Sequence, residues 1–178
     1  YPWFKCRARD QFIALPGLTL TNNELTKYDD VMETAEKAIR AFMNGEKIEV
    51  SIQEMEQPDV LLWAVWCIQQ YGKFVGMDSC VEKYSALVRD IMNWILGNNH
   101  ANLNVMENKL LHSEGRDKAI TWMNSTANGR PIVPRTGYIV EFDALWYNAI
   151  KFGVDLCAQA GDAHNVKVYS ELAEQVGK

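Results

Sequence analysis

Histidine and cysteine are scarce in this sequence, which limits the metal sites and disulfides that it can form. The 178 residues include three histidines and four cysteines. They are scattered along the chain, at His100, His112 and His164 and at Cys6, Cys67, Cys80 and Cys157. None stands at the close spacing that a structural zinc site uses. We therefore expect no metal site, and free, buried thiols rather than a disulfide framework.

Basic residues and long apolar runs are scarce too. The sequence has 18 basic against 23 acidic side chains and a formal net charge of −5. This balance argues against a broad basic face for nucleic acid. No stretch reaches the roughly 18 uninterrupted apolar residues of a membrane span. We expect neither nucleic acid nor a membrane as a partner, and a neutral ligand fits the charge better.

The apolar residues recur with helical periodicity in several segments. Some segments are apolar on nearly every side, which predicts helices that are enclosed by protein. These begin near Arg9, at Pro58 and at Glu141. The others are amphipathic, and they lie at Glu24 to Asn44, at 79–96 and after Gly161.

Three features interrupt the helical pattern. Pro16-Gly17 should end or kink the first helix. The segment from Lys47 to Gln57 alternates weakly and fits either a loop or a short strand. Residues 97–140 form a long, Asn- and Gly-rich connection, and loops of this length in compact domains are usually functional or disordered. Their aromatic and proline content favours a functional loop.

Enclosed and amphipathic helices alternate along the chain. Two concentric layers of antiparallel helices would produce this order, with the inner layer buried on both sides. The predicted fold class is therefore all-α, with about three inner/outer helix pairs. A closed toroid commonly needs about twice that number, so we expect residues 1–178 to be a single domain that is part of a larger (α/α)6 toroid. The chain opens at Tyr1 without Met, which also indicates a piece of a longer protein. A compact helical bundle is the alternative.

Each enclosed helix begins with a cluster of charged residues. The clusters are Arg7, Arg9 and Asp10; Glu54, Glu56 and Asp59; and Arg135, Glu141 and Asp143. Acids near a helix N-terminus stabilise the helix by about 0.3–1 kcal/mol each, which explains any one of them singly. Three parallel enclosed helices, however, would bring all the clusters to one rim. Carboxylates and arginines there suit the hydroxyls of a sugar.

Tryptophans supply candidate contacts for the apolar faces of a sugar ring. The candidates are Trp3, Trp63, Trp122 and Trp146. Two of these, Trp63 and Trp146, lie within apolar runs, which favours a place in the core.

Several motifs follow one another in an order that is typical of one family. The chain opens with YPWFKCRARDQFIALPGLTL, and Asp59 begins an Asp-x-x-Leu-Trp motif. Later come Thr-Trp-Met-Asn from Thr121, Val-Pro-Arg from Val133 and VEFDALWYNAI from Val140. Over residues 1 to about 150, this series resembles the α-1,6-glucosidase domain of glycogen debranching enzymes.

The resemblance implies an (α/α)6 toroid that hydrolyses the α-1,6-linked branch glucose of glycogen or a related glucan. It implies inversion at the anomeric carbon, no cofactor, a cytoplasmic location and an active site at the N-terminal ends of the inner helices. The substrate-binding residues that the resemblance implies in this sequence are Trp3, Arg9, Asp10, Asp59, Trp122, Arg135 and Glu141. Of these, Arg9 and Asp10 would hold hydroxyls of the terminal glucose, Trp3 and Trp122 would wall the pocket, and the others would line it.

One position departs from the family in a way that bears on catalysis. The family's general acid is the Asp of Thr-Trp-Met-Asp, and this chain has Asn124 there. An inverting glycosidase needs one carboxylic acid and one carboxylate, roughly 6.5–9.5 Å apart. A neutral amide has no proton to give, so Asn124 can hold a glycosidic oxygen but cannot protonate it.

Three explanations of Asn124 stay open. The acid has moved to Glu114, Asp117 or Glu141; or the subfamily binds or hydrolyses differently; or the residue was changed deliberately. In this family the general base lies downstream of these motifs, beyond Lys178, so we expect this chain alone to be inactive.

Two other functions and one partner stay open. A glucan-binding or regulatory module that has lost its general acid is the first alternative. A different toroid glycosidase, such as a trehalase-like enzyme, is the second, although the Leu-Trp-Tyr-Asn-Ala run argues against it. Half a toroid would leave apolar edges uncovered, so we also expect a homo-oligomer formed through those edges.

Overall fold

The structure is a computed structural model that describes residues 5–48 and 51–177, and this part of the chain is mainly helical. Its α-helices are α1 (Ala8–Thr19), α2 (Leu25–Met43), α3 (Val60–Val75), α4 (Met77–Leu96), α5 (Val140–Gln159) and α6 (Ala163–Val176). A single 3-10 turn, Leu20–Asn22, follows α1. The predicted all-α class is confirmed. None of these helices is both long and apolar enough to cross a membrane.

The helices form two layers. In the inner layer α1 packs against α3 and α3 against α5, and each of these helices also packs against the one that follows it in the chain. Helix α3 is enclosed as predicted, because no residue from Val60 to Gly72 is exposed. This arrangement matches the predicted inner/outer pairs, whereas closure into a toroid stays a prediction.

Helices α1 and α5 differ from the prediction that they are enclosed all round. Each has an exposed stripe that includes apolar side chains, with Leu18 65% exposed on α1 and Val140 80% exposed on α5. The physical reason is their place at the two ends of the inner row, where each has an inner neighbour on one side within the described residues. Apolar edges of this kind are what the half-toroid prediction requires.

Helix α1 also continues past Pro16, which was expected to end or kink it. Pro16 is buried inside the helix, which runs on to Thr19. The Thr19 hydroxyl donates to the Leu15 carbonyl at 2.6 Å. Proline removes one backbone hydrogen bond, but burial of Phe12, Leu15 and Leu20 around it holds the last turn in place.

Polar contacts join the two outer helices α2 and α4. Arg40 Nη1 lies 3.0 Å from Asp90 Oδ2, and Lys83 Nζ lies 2.8 Å from Asp29 Oδ2. Both pairs are partly exposed, so each contributes little to stability. They fix the relative position of two helices whose apolar faces already pack on the inner layer.

The long connection contains regular structure that the sequence pattern did not indicate. Strands β3 (Leu103–Val105), β4 (Leu111–Gly115) and β7 (Arg135–Tyr138) form an antiparallel sheet, and β5 (Thr126–Ala127) pairs with β6 (Arg130–Pro131). Farther upstream, β2 (Ile52–Gln53) pairs in parallel with β1 (Cys6–Arg7), so the segment with weak alternation includes a short strand.

Two side chains of α5 attach this sheet to the helical layers. Asp143 accepts a hydrogen bond from the Leu111 backbone N–H at 2.7 Å, and the Trp146 indole donates to the Lys109 carbonyl at 3.0 Å. Burial raises the pKa of the Asp143 carboxyl above its usual value. Asp143 therefore supports the fold, and Trp146 is a core residue, as its apolar surroundings predicted.

His100 generates a prediction about stability and pH. Burial lowers the pKa of His100 from 6.5 to about 4, although the Glu56 carbonyl and the charge of Asp59 favour the protonated ring. The unfolded chain therefore takes up this proton first as the pH falls. The His100 contribution is complete above pH 6.5 and is lost as the pH falls to about 4.

We expect His100→Gln to reduce the loss of unfolding free energy between pH 6.5 and pH 4, measured by urea denaturation at each pH. His164→Gln is the matched control because His164 is exposed on α6. Parallel pH profiles for the native protein and His100→Gln would contradict the expectation.

Candidate active site

A buried ion pair joins the N-terminal ends of α1 and α3. Arg9 Nε donates to Asp59 Oδ2 at 2.8 Å, and Arg9 Nη2 donates to Asp59 Oδ1 at 2.7 Å. The two residues are 7% and 2% exposed. Such a two-point contact fixes both side chains, because a planar guanidinium matches a carboxylate in distance and in direction.

The same pair is tied to α3 and to the loop before the third charge cluster. The Trp63 indole donates to Asp59 Oδ2 at 3.1 Å. On the other side, Arg9 Nη2 lies 3.5 Å from the carbonyl oxygen of Ile120. Arg9 therefore touches the residue that precedes the Thr121–Asn124 motif, although the two are far apart in sequence.

The third cluster is organised around the Glu141 carboxylate. Its Oε1 atom accepts from the Trp122 indole at 3.1 Å and lies 2.6 Å from Arg135 Nη2. Arg135 Nη1 also lies 3.0 Å from the Met123 sulfur. These contacts clamp the Thr121–Asn124 motif against the start of α5 and the start of β7.

Gly115 permits the close packing on which this clamp depends. A Cβ atom at Gly115 would lie 2.7 Å from Ile120 Cδ1 and 3.0 Å from the Arg135 carbonyl. Any larger residue would push β4 away from one of these neighbours. The glycine thus lets Ile120 and Arg135 approach the same point of the sheet.

The first two predicted charge clusters therefore meet through direct contacts, and the third is linked to them through the loop that contains Ile120 and Trp122. The first two also share an outer ion pair, with Arg7 Nε 3.3 Å from Glu54 Oε1. Asp10 is exposed in the first turn of α1, and Asn124 is exposed on the loop after Trp122. Trp3 lies outside the described residues.

The exposed and the buried side chains of the site differ in how they can act on a ligand. Trp122 is 61% exposed, and the Glu141 side chain is 28% exposed. A sugar can stack on an exposed indole and donate its hydroxyls to the carboxylate. The Arg9–Asp59 pair is buried, and it instead holds the N-terminal ends of α1 and α3 together.

Sequence reasoning missed three contributors. These are the Ile120 carbonyl, the Met123 sulfur and the Trp63 indole, which was assigned to the core. Trp63 does stand four residues after Asp59, which is one helical turn, and this spacing was the signal that could have found it. No comparable signal exists for the other two, because their contacts depend on the path of the loop.

The cysteines take no visible part in this site. All four are free, as predicted; Cys67 and Cys80 are buried, and the other two are half-buried. Burial raises the pKa of Cys67 to about 12 and that of Cys80 to about 11. Both thiols stay protonated near neutral pH. In the part of the chain that the structure describes, no group of three or more His, Cys, Asp or Glu side chains is arranged to hold a metal ion.

The Arg9–Asp59 pair generates a stability prediction. Asp59→Asn leaves the Arg9 guanidinium buried without a counter-charge, and breaking a buried pair from one side costs about 3–5 kcal/mol. We expect the denaturant midpoint to fall accordingly, and we expect Arg9→Met combined with Asp59→Asn to recover much of the loss. Lys37→Met, which breaks the exposed Lys37–Glu33 pair, is the control and should leave the midpoint nearly unchanged. An unchanged midpoint in Asp59→Asn would show that the pair does not support the fold.

Comparison with known proteins identifies the family of the chain. A family model described as amylo-alpha-1,6-glucosidase matches residues 1–178. Searches of curated proteins and of solved structures find no significant match. The match covers the whole chain and confirms the resemblance seen in the motifs. It relates the chain to the glycosidase domains of glycogen debranching. The chain belongs to the amylo-alpha-1,6-glucosidase family.

Proposed function

We propose that the protein containing this chain hydrolyses α-1,6-linked glucose branches of glycogen or a related glucan, with inversion at the anomeric carbon. The observation that supports the proposal is the link, in a member of this family, between the Arg9–Asp59 pair and the Ile120–Trp122 loop, whose Trp122 donates to Glu141. The proposed site is a rim at the N-terminal ends of α1, α3 and α5. No cofactor is part of the proposal.

In the proposed mechanism the described residues bind and orient the branch glucose. Trp122 stacks on an apolar ring face, and Asp10 and Glu141 accept hydrogen bonds from hydroxyls. Arg135 holds Glu141 in place at 2.6 Å, so the carboxylate needs no reorganisation when the sugar arrives. Arg9 and Asp59 are buried and do not contact the sugar; they fix the relative position of α1 and α3.

Proton transfer needs groups with the right chemistry on both faces of the sugar. Inverting hydrolysis protonates the leaving oxygen and activates a water molecule on the opposite face. Asn124 can donate an amide N–H to the leaving oxygen, which orients the bond without protonating it. Of the alternative acids, Glu141 contacts the Thr121–Asn124 motif directly, through the Trp122 indole. The general base belongs to another part of the parent protein.

The second candidate is a glucan-binding module without catalysis, and Asn124 is the observation that favours it. All the binding contacts described above survive the replacement of an acid by an amide at this position. Calorimetry with maltooligosaccharides separates the two candidates, since a binding module gives saturable binding without glucose release.

The hydrolase proposal predicts glucose release from a branched limit dextrin by the full-length parent protein. Glu141→Gln removes the charge that pairs with Arg135 and should lower kcat/KM at least about tenfold, within the usual range for a lost active-site carboxylate. Tyr147→Phe is a fold-neutral control on the exposed face of α5. Binding of the dextrin without glucose release by the folded parent would favour the module instead.

Position 124 gives a separate prediction. Asn124→Asp restores the acid that the family has there, so glucose release should stay unchanged or rise. The side chain is exposed, so the unfolding midpoint should not move. A sharp loss of activity in a folded variant would show that the amide itself is required. It would also contradict the idea that an aspartic acid at this position acts as the general acid.

A further inference from the structure

A second polar groove lies where the outer helices α2 and α4 end. It has two compartments of about 400 and 390 Å³ that share one wall. The residues common to both compartments are Met43, Asn44, Trp94 and Asn99. Trp94 therefore contributes to the lining of both compartments.

The Trp94 ring is held in a fixed position. Its indole N–H donates to the Met43 carbonyl at 3.0 Å, which ties α4 to the end of α2. Phe42 lies 5.4 Å away between ring centroids, and His100 lies 5.8 Å away in an edge-to-face arrangement. Since the ring is only partly buried, it is a rigid platform that loses little side-chain entropy when a ligand stacks on it.

Amides form half of the polar lining, beside Arg40, Glu56, Asp90 and His100. The groove residues Asn44, Asn93, Asn99 and Asn102 each carry both hydrogen-bond donors and acceptors. Three of them are oriented: the Asn99 amide donates to the Trp94 carbonyl at 3.1 Å, the Asn44 amide donates to Glu46 at 3.3 Å, and Lys118 donates to Asn102 at 3.2 Å. Hydroxyl groups need this mixture, since each donates one hydrogen bond and accepts others.

Acidic side chains outnumber Arg40 around the groove, since Glu56 lines it in addition to the two acids that contact Arg40. Arg40 lies 2.7 Å from Glu36 and 3.0 Å from Asp90, so its guanidinium is shared between two acids. His100 contributes no charge near neutral pH, because its Nδ1 accepts from the Asn102 backbone N–H and burial keeps the ring neutral. A neutral, hydroxyl-rich ligand fits this lining better than a phosphate or an acidic peptide does.

The groove lies on the same side of the helical layers as the candidate active site. The ends of α2 and α4 lead into the segments that precede α3 and α5, so they share a rim with the N-terminal ends of those helices. Glu56 lines the groove three residues before Asp59. The groove therefore adjoins the start of α3, where the charge of Asp59 acts on the His100 ring.

We propose that Trp94 and the surrounding amides bind a linear stretch of α-1,4-linked glucan beside the candidate active site. The choice of glucan rests on the proposed function, and the groove itself is independent of it. Sugar rings would stack on Trp94, and their hydroxyls would bond to the amides of Asn93 and Asn99.

The test uses the full-length parent protein and maltoheptaose. Trp94→Ala should weaken maltoheptaose binding about tenfold by calorimetry, which corresponds to one stacking contact of about 1.4 kcal/mol. The same variant should raise KM for limit dextrin without changing kcat, and should leave the kinetics on a short branched oligosaccharide unchanged. Phe74→Ala, an exposed ring near the C-terminal end of α3, is the matched control and should change none of these values.

Asn93→Ala tests the same site without removing the tryptophan. It is expected to fold, because Asn93 is exposed on α4 and alanine favours the helix. It should weaken the same binding by a smaller factor. Unchanged maltoheptaose affinity in folded Trp94→Ala and Asn93→Ala, or no binding by the native protein, overturns the second site. Binding that depends on Trp94 in a parent that releases no glucose supports the second site and counts against the proposed hydrolase. Normal glucose release with unaltered maltoheptaose binding in both variants contradicts the second site and leaves the proposed hydrolase function in place.

Discussion

The buried contact between Arg9 and Asp59 is the interaction on which the rest of the site depends. It joins the first turn of α1 to the residue that precedes α3, and it also reaches the Ile120 carbonyl. Two charges removed from water are tolerated here because each has a partner in good geometry and Trp63 bonds to the carboxylate as well. The pair therefore supplies position more than stability. Through Ile120 it also links the two helices to the loop that carries Trp122.

Much of this arrangement follows from sequence periodicity and from the place of the charges. The enclosed character of α3 is visible in its unbroken apolar run, and the charged starts of α1, α3 and α5 indicate a common rim. What periodicity cannot supply is pairing between distant residues. Nothing in the sequence shows that Arg9 selects Asp59 rather than Glu54, since both acids stand in one cluster. That choice depends on burial, because Glu54 stays near the surface with Arg7.

The sheet between α4 and α5 was not predictable for a different reason. Its strands are short, and Gly115, Gly137 and several asparagines break the alternation that identifies a strand. Side chains of α5 hold the start of β4 and the turn before it, with Asp143 bonded to the Leu111 N–H and Trp146 to the Lys109 carbonyl. Tertiary contacts thus override weak local preference. The same contacts place Arg135 where it can clamp Glu141 and Met123.

Because Asn124 is exposed, its side chain can change without affecting the folding of the chain. The buried frame beneath it is complete without any contribution from that side chain, so an acid or an amide there leaves the frame intact. Selection that preserves folding and glucan recognition would then be blind to the identity of this residue, and only selection for bond cleavage would act on it. Under the proposed function, a single substitution at this position would separate a protein that cleaves a glucan from one that only binds it.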